Sequence, residues 1–300
     1  MSIPKITQYP LSGALNNIEN KTTWKIDPKK SILLIHDMQN YFVNFYDDNG
    51  ELIKTIVNNI VELKKWCVLH AIPVFYTAQP GNQDQKERAL LTDFWGKGLD
   101  GSDNKPDIID QLKPTDNDVV LNKWRYSAFK KSNLEQTMKQ SGRDQLIVCG
   151  IYAHIGVLST ALDAFMYDIK PFVIADAVAD FTQEEHTMAM QYISKRCGNV
   201  YTLEQLKKQI PSKNKVSLEA ICNDAAVVLS MPVDEVDADE EFMYLGLDSI
   251  RMMTLIQQWN EKGWGGDFSQ LAQAATLREL YNVLVAQASI DHDEIHSELA

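Results

Sequence analysis

Four residues with chemical potential each lie just past a short apolar run. Asp37 follows Ser31–His36, Gln79 follows Pro73–Thr77, Lys123 follows Val119–Leu121, and Gly150 follows Leu146–Cys149. If these runs are parallel strands, the four residues converge, because the carboxyl ends of the strands in an open parallel sheet form its ligand crevice. A carboxylate and an ammonium group in one polar pocket suit acid-catalysed chemistry, with the carboxyl as proton carrier. Taken singly, Asp37 also fits a helix cap or turn former, and Lys123 a solvated surface residue; their convergence favours a site. His36 and His154 read as structural, since no metal-ligand spacing accompanies them. A second focus is Asp248-Ser249, which opens an apolar helical pattern. Such a pair is a common cap, but a serine exposed at a helix N-terminus also sits where backbone N–H groups and the helix dipole favour a phosphate.

The elements that would position these residues alternate between apolar runs and amphipathic stretches from Ser31 to about Leu206, the pattern of a doubly wound parallel α/β sheet. Ser31–His36 has a central apolar run without alternation, as a strand buried on both faces requires. Ile53, Ile56, Val57, Ile60, Leu63 and Cys67 form one stripe of a helix within Glu51–His70. Further strands are read at Pro73–Thr77, Val119–Leu121, Leu146–Cys149, Phe172–Ala175 and around Val200-Tyr201, with helices near Lys130–Gln140 and His154–Tyr167. The polar, lysine-rich KKQIPSKNK stretch suits a linker. Past it, Ser217–Leu229, Ile250–Trp259, Phe268–Ala272 and Thr276–Val285 read as a small four-helix bundle, with six acidic residues between Pro232 and Glu241. The expected division is residues 1–207, a linker at 208–216, a helical domain at 217–290 and an acidic tail at 291–300. Met252 and Met253 divide between core packing and partner docking.

Composition narrows the function class. A formal charge of -12 and a pI near 5.0 argue against nucleic acid, whose binding relies on clustered basic residues. The N-terminal MSIPKITQYP lacks the apolar core of a signal peptide, and no apolar run approaches the roughly 18 residues of a membrane helix. The expectation is a cytoplasmic protein without a membrane partner. Cys67, Cys149, Cys197 and Cys222 have no C-x-x-C spacing and read as reduced thiols.

Leu245-Gly246-Leu247-Asp248-Ser249-Ile250 resembles the phosphopantetheine attachment motif of carrier proteins, which implies a 4'-phosphopantetheine arm on Ser249. Asp248 would then help a transferase's metal or basic surface. The first domain resembles the isochorismatase branch of the cysteine-hydrolase family. Its match is carried by Leu34-Ile35-His36-Asp37-Met38-Gln39, Tyr76-Thr77-Ala78-Gln79-Pro80, Asn122-Lys123-Trp124-Arg125-Tyr126-Ser127-Ala128-Phe129 and Gly150-Ile151-Tyr152-Ala153-His154-Ile155-Gly156. In amidases of that family an Asp–Lys–Cys set performs covalent catalysis, and the cysteine position is Gly156 here. Thiolate attack is thereby excluded, and Cys149, at the end of a buried strand, does not replace it.

The resemblance implies an ether hydrolase in which Asp37 and Lys123 cleave the vinyl ether of isochorismate to pyruvate and 2,3-dihydro-2,3-dihydroxybenzoate. Gln79, Arg88, Lys123 and the backbone around Tyr152 and Gly156 would hold the substrate's carboxylates and hydroxyls, and the missing side chain at 156 would make room for its ring. Trp95 walls the pocket or packs its loop, with the pocket favoured. A cis peptide is expected near Ile151-Tyr152. The fusion implies catechol siderophore assembly: an adenylating ligase loads 2,3-dihydroxybenzoate onto an arm that a phosphopantetheinyl transferase installs. A condensation or cyclisation domain of a nonribosomal peptide synthetase then accepts it. A homodimer through the first domain is expected by analogy. The competing readings are a carrier whose first domain is only a dimerisation scaffold, and a hydrolase of another small substrate.

Overall fold

The computed structural model describes residues 3–15, 18–47, 50–101, 106–210, 216–262, 264, 271 and 274–285. It separates into two compact units, Met1–Ile210 and Pro211–Ala300.

The first unit is built on six parallel strands, β1 (Ser31–His36), β2 (Val74–Ala78), β3 (Val119–Asn122), β4 (Gln145–Ile151), β5 (Lys170–Ala179) and β6 (Asn199–Tyr201), in the order β3-β2-β1-β4-β5-β6. Alternate residues of β1 enter opposite cores. Leu33 and Ile35 join Ile147, Cys149 and Ile151 on one face, whereas Ile32 and Leu34 join Leu146 and Val148 on the other. Both faces are therefore apolar, which is why the run shows no alternation.

Helix α1 (Glu51–Leu69) covers the first face with the expected stripe. The second face is covered by α2 (Leu134–Gln140), α3 (Leu158–Met166) and α4 (Gln183–Arg196). Helix α4 is absent from the sequence reading because its inner stripe includes the polar His186 and Ser194 beside Ala189, Met190 and Ile193. Its start was nonetheless signalled: Thr182 accepts from the Glu185 N–H, a Thr-x-x-Glu cap. The helix expected from His154 begins instead with a π turn over Ala153–Val157.

The expected boundary at 207 falls inside α5 (Leu203–Gln209). A reciprocal Thr202–Gln205 capping box starts this helix, Leu203 and Leu206 bury against the sheet, and Lys207 and Lys208 sit favourably at its C-terminal end. Residues 211–215 of the expected linker lie outside the described residues.

In the second unit, α6 (Leu218–Leu229) is capped by Ser217 and α7 (Ser249–Glu261) by Asp248, and a further helix spans 277–285. Ile221, Ala225, Leu255, Ile256, Trp259, Leu277, Leu280 and Leu284 make its core. Met252 packs against this core, whereas Met253 is exposed. Of the short helix expected at 268–272 only Leu271 is described, and the expected tail at 291–300 lies outside the described residues. Among the described residues no helix is long and apolar enough to cross a membrane.

Candidate active site

Strand order reverses between β1 and β4, and such a switch point is where an open α/β sheet offers a ligand crevice. Register then brings the polar residues together. His36 pairs with Thr77 on one side and Gly150 on the other, and Ala78 pairs with Asn122. Asp37 and Lys123, one residue past these pairs, therefore face each other across β2. The Lys123 ammonium donates to Asp37 Oδ2 at 2.9 Å, and the Thr77 hydroxyl donates to Oδ1 at 2.6 Å. Asp37 adopts φ +50°, a region Asp enters more readily than most residues. Its N–H donates to the Thr77 hydroxyl oxygen at 3.1 Å.

Electrostatics of the pair follow from this geometry. Burial alone would raise the Asp37 pKa. The Lys123 charge, aided by the hydrogen bonds from Thr77 and Lys123, reverses that and holds the carboxyl below its ordinary value. Burial also pulls Lys123 down, with Asp37 opposing. His36 is pushed to about 4 by its burial and by Lys123. It is neutral near pH 7, so its 3.6 Å approach to Asp37 is not an ion pair. The Ile151 carbonyl, 2.9 Å from Nδ1, can only accept, so the proton sits on Nδ1.

The crevice is lined by Asp37, Lys123, Gln79, Arg88, Trp95, Tyr152 and Gly156 together with Tyr41, Tyr126 and Phe181, and holds about 620 Å³ of empty space including its open mouth. Aromatic walls with a few convergent polar groups are the make-up of a small-molecule site. A loop containing two short helices, Gln85–Arg88 and Leu91–Trp95, forms one wall. Arg88 is 4% exposed, donates to Gly96 O at 2.7 Å and Gln83 Oε1 at 2.8 Å, and reaches Gln79 Oε1 at 3.4 Å. Among the described residues no carboxylate pairs with it, leaving a buried cation beside the cavity. Trp95 Nε1 donates to the Tyr126 hydroxyl at 2.8 Å.

The peptide between Ile151 and Tyr152 is cis. The Tyr152 hydroxyl donates to Phe42 O, so this residue offers its ring to the cavity. Phe181 lies tilted against that ring, with centroids 4.5 Å apart, and meets His154 edge-on at 5.3 Å. His154 is held by Asp180 at 2.6 Å. Burial opposes its charge, but Asp180 and then Glu185 outweigh that and raise its pKa.

In the second unit Ser249 is exposed as the first residue of a 13-residue helix. Asp248 accepts from the Arg251 N–H through Oδ1. An open hydroxyl at a helix N-terminus suits a phosphodiester, so the residues present fit a phosphopantetheine arm.

Comparison with known proteins matches each of the two units to a family. The isochorismatase domain model matches residues 31–205, more than half of the chain. The chain belongs to the isochorismatase family. A phosphopantetheine attachment site model matches residues 219–284, so the second unit is a carrier domain whose cofactor is 4'-phosphopantetheine. The chain is 43% identical to an isochorismatase of Bacillus subtilis (strain 168), over 96% of this chain and 97% of that protein. It is 44% identical to enterobactin synthase component B of Escherichia coli (strain K12), over 95% and 98%. A cysteine hydrolase from Pseudomonas syringae pv. phaseolicola shares the fold, with a TM-score of 0.57 and 21% identity, covering 71% of this chain and 99% of that one.

For an isochorismatase, two details of the pocket depart from the sequence reading. The space vacated at position 156 is not left for a substrate ring. A Cβ built on Gly156 would lie 2.0 Å from His36 Cε1, so the imidazole fills that space. The Gly156 N–H is not free either, because it donates to the Tyr152 carbonyl at 3.1 Å, which also takes the amides of Ile155 and Val157. Gly150, at φ +105° with a virtual Cβ 2.2 Å from His36 O, lets β4 approach β1 this closely. Thr77, Tyr41, Tyr126 and Phe181 went unread. Only Thr77 and Tyr126 carried a signal, since both lie within the quoted family motifs.

Proposed function

We propose that the first unit cleaves isochorismate by protonating its vinyl ether and that the carrier unit receives the aryl acid made from the product. The observation that carries this reading is a buried carboxylate, paired to lysine, facing a small-molecule cavity in which position 156 has no nucleophile. The free carboxyl is ionised, so it needs a proton when substrate arrives. Enclosure of the site and the incoming substrate carboxylate both favour the protonated form. Asp37 then gives its proton to the methylene carbon of the enolpyruvyl group, and the electron pair of the C=C bond forms the new C–H bond. Water adds to the oxocarbenium carbon and gives up a proton to the Asp37 carboxylate. The hemiketal loses its ring oxygen as an alcohol, giving pyruvate and 2,3-dihydro-2,3-dihydroxybenzoate. Lys123 holds the Asp37 anion left after transfer, Arg88 pairs with a substrate carboxylate with Gln79 beside it, and Trp95 and Tyr152 wall the ring.

Arg88→Lys tests the binding role, because a lysine cannot reproduce the planar fork. KM for isochorismate should rise by roughly tenfold or more, with kcat changed less, as for loss of binding common to ground and transition states. Steady-state kinetics on the purified chain would check this, and an unchanged KM would remove Arg88 from the binding set.

On the carrier unit, Ser249 holds the arm and Asp248 fixes the helix start beneath it. When bound, the arm supplies a terminal thiol that takes an activated 2,3-dihydroxybenzoyl group as a thioester. The partners this requires are a phosphopantetheinyl transferase, an adenylating ligase and a condensation or cyclisation domain of a nonribosomal peptide synthetase. The chain works as a cytoplasmic homodimer through its first unit, with a linker after α5 joining that unit to a carrier domain at 217–290. Intact mass after incubation with coenzyme A and a transferase should increase by one phosphopantetheinyl group, and Ser249→Ala should abolish the increase. Modification of that variant would exclude Ser249 as the attachment point.

A further inference from the structure

Thr77 is one residue upstream of the end of β2 and touches no part of the cavity, yet its hydroxyl is the closest partner of the reacting carboxyl. The contact is doubly constrained. Thr77 Oγ1 accepts the Asp37 N–H at 3.1 Å and donates to Asp37 Oδ1 at 2.6 Å. Thr77 is buried, and among the described residues its hydroxyl bonds to nothing else. A threonine has a single hydroxyl proton. That proton is committed to Oδ1, while the Thr77 oxygen takes the Asp37 N–H. Oδ2 takes the Lys123 ammonium at 2.9 Å, so each carboxyl oxygen has one donor and one further lone pair.

Resting on the mechanism above, we infer that Thr77 is a positioning residue that keeps a donor on the Asp37 carboxyl before and after proton transfer. The hydroxyl also fixes the carboxyl's rotation, because it ties the side chain to its own backbone N–H through one oxygen atom. After proton transfer the same 2.6 Å contact stabilises the carboxylate that remains. Around Asp37 the other titratable groups are Lys123 past β3, the neutral His36 on β1 and Tyr152 past β4. Only Lys123 and Thr77 donate to the carboxyl oxygens among the described residues.

The consequence is readable in the pH dependence of turnover. Turnover falls as pH rises through the Asp37 pKa of the substrate complex, because the acid is then deprotonated. Removing a donor that favours the anion moves that pKa upward. Thr77→Val in the full chain should therefore shift the alkaline limb of the kcat profile to higher pH. It should also lower kcat at the acid-side plateau by about tenfold, the lower part of what a well-placed general acid contributes. Thr77→Ser keeps the hydroxyl and should restore the limb, with kcat within a few-fold of the wild type. A purely structural role would lower kcat or thermal stability without moving the limb. An unmoved limb in a folded Thr77→Val chain overturns the inference, as does a Thr77→Ser chain as impaired as Thr77→Val. Failure of the underlying mechanism is separable, because the wild-type chain would then release no pyruvate at any pH.

Discussion

Asp37→Asn should reduce kcat for isochorismate cleavage by about a thousandfold or more, within the range lost with a general acid, while the chain remains folded. The amide is nearly isosteric and can still accept from Thr77 through its oxygen, but it has no proton of useful acidity for an sp² carbon. The variant does leave the Lys123 ammonium without its carboxylate, and an unpaired buried cation is costly. Some loss of thermal stability is therefore expected, and the comparison should be made well below the unfolding transition. A loss confined to KM would show that Asp37 only binds substrate. The wild-type profile carries a related expectation. With Asp37 held below its ordinary pKa by Lys123, titration of the free chain should find it ionised near neutral pH. A free carboxyl already protonated at pH 7 would contradict acid competence that depends on substrate.

Gly156→Ala has the largest expected structural effect. Its Cβ would fall 2.0 Å from His36 Cε1 and 2.8 Å from both ring nitrogens. The ring has little room to yield: it is fully buried, its Nδ1 donates to Ile151 O, and Nε2 faces the Thr160 hydroxyl at 3.4 Å. Overpacking of this kind costs about 3 kcal/mol, which corresponds to a melting temperature lower by roughly 6–12 °C for a unit of this size. Activity should fall as well, since His36 adjoins Asp37. Adding His36→Ala should recover part of the stability lost by Gly156→Ala, measured as a coupling in thermal unfolding. Strictly additive losses would show that the imidazole is not what confines position 156 to glycine. The same contact explains why a thiol cannot simply be reinstated there.

The two sites were legible in the sequence to different depths. Ser249 could be read locally, because the motif and the helix it opens are contiguous. Asp37 and Lys123 could be read from convergence alone, since each follows an apolar strand and β1, β2 and β3 pair in register. Thr77 could not be found that way. It lies inside a strand, and its role depends on a hydrogen bond across the β1–β2 register, which no local pattern encodes. The filling of position 156 by His36 was hidden for the same reason: a missing side chain says nothing about which neighbour takes its volume. The wall of the cavity was the least legible part. Gln85–Arg88 and Leu91–Trp95 are four- and five-residue helices without a usable period. Helix α4 had a cap signal at Thr182–Glu185 but an inner stripe diluted by His186 and Ser194.

The most direct test of vinyl-ether protonation is to incubate the purified chain with isochorismate in water enriched in oxygen-18 and to analyse both products by mass spectrometry. Protonation at the methylene carbon followed by water addition to the enolpyruvyl carbon leaves the ring oxygen in place. The account predicts pyruvate release matched by 2,3-dihydro-2,3-dihydroxybenzoate free of the heavy isotope, with both products lost in Asp37→Asn. No pyruvate, or a ring hydroxyl carrying oxygen-18, would contradict it.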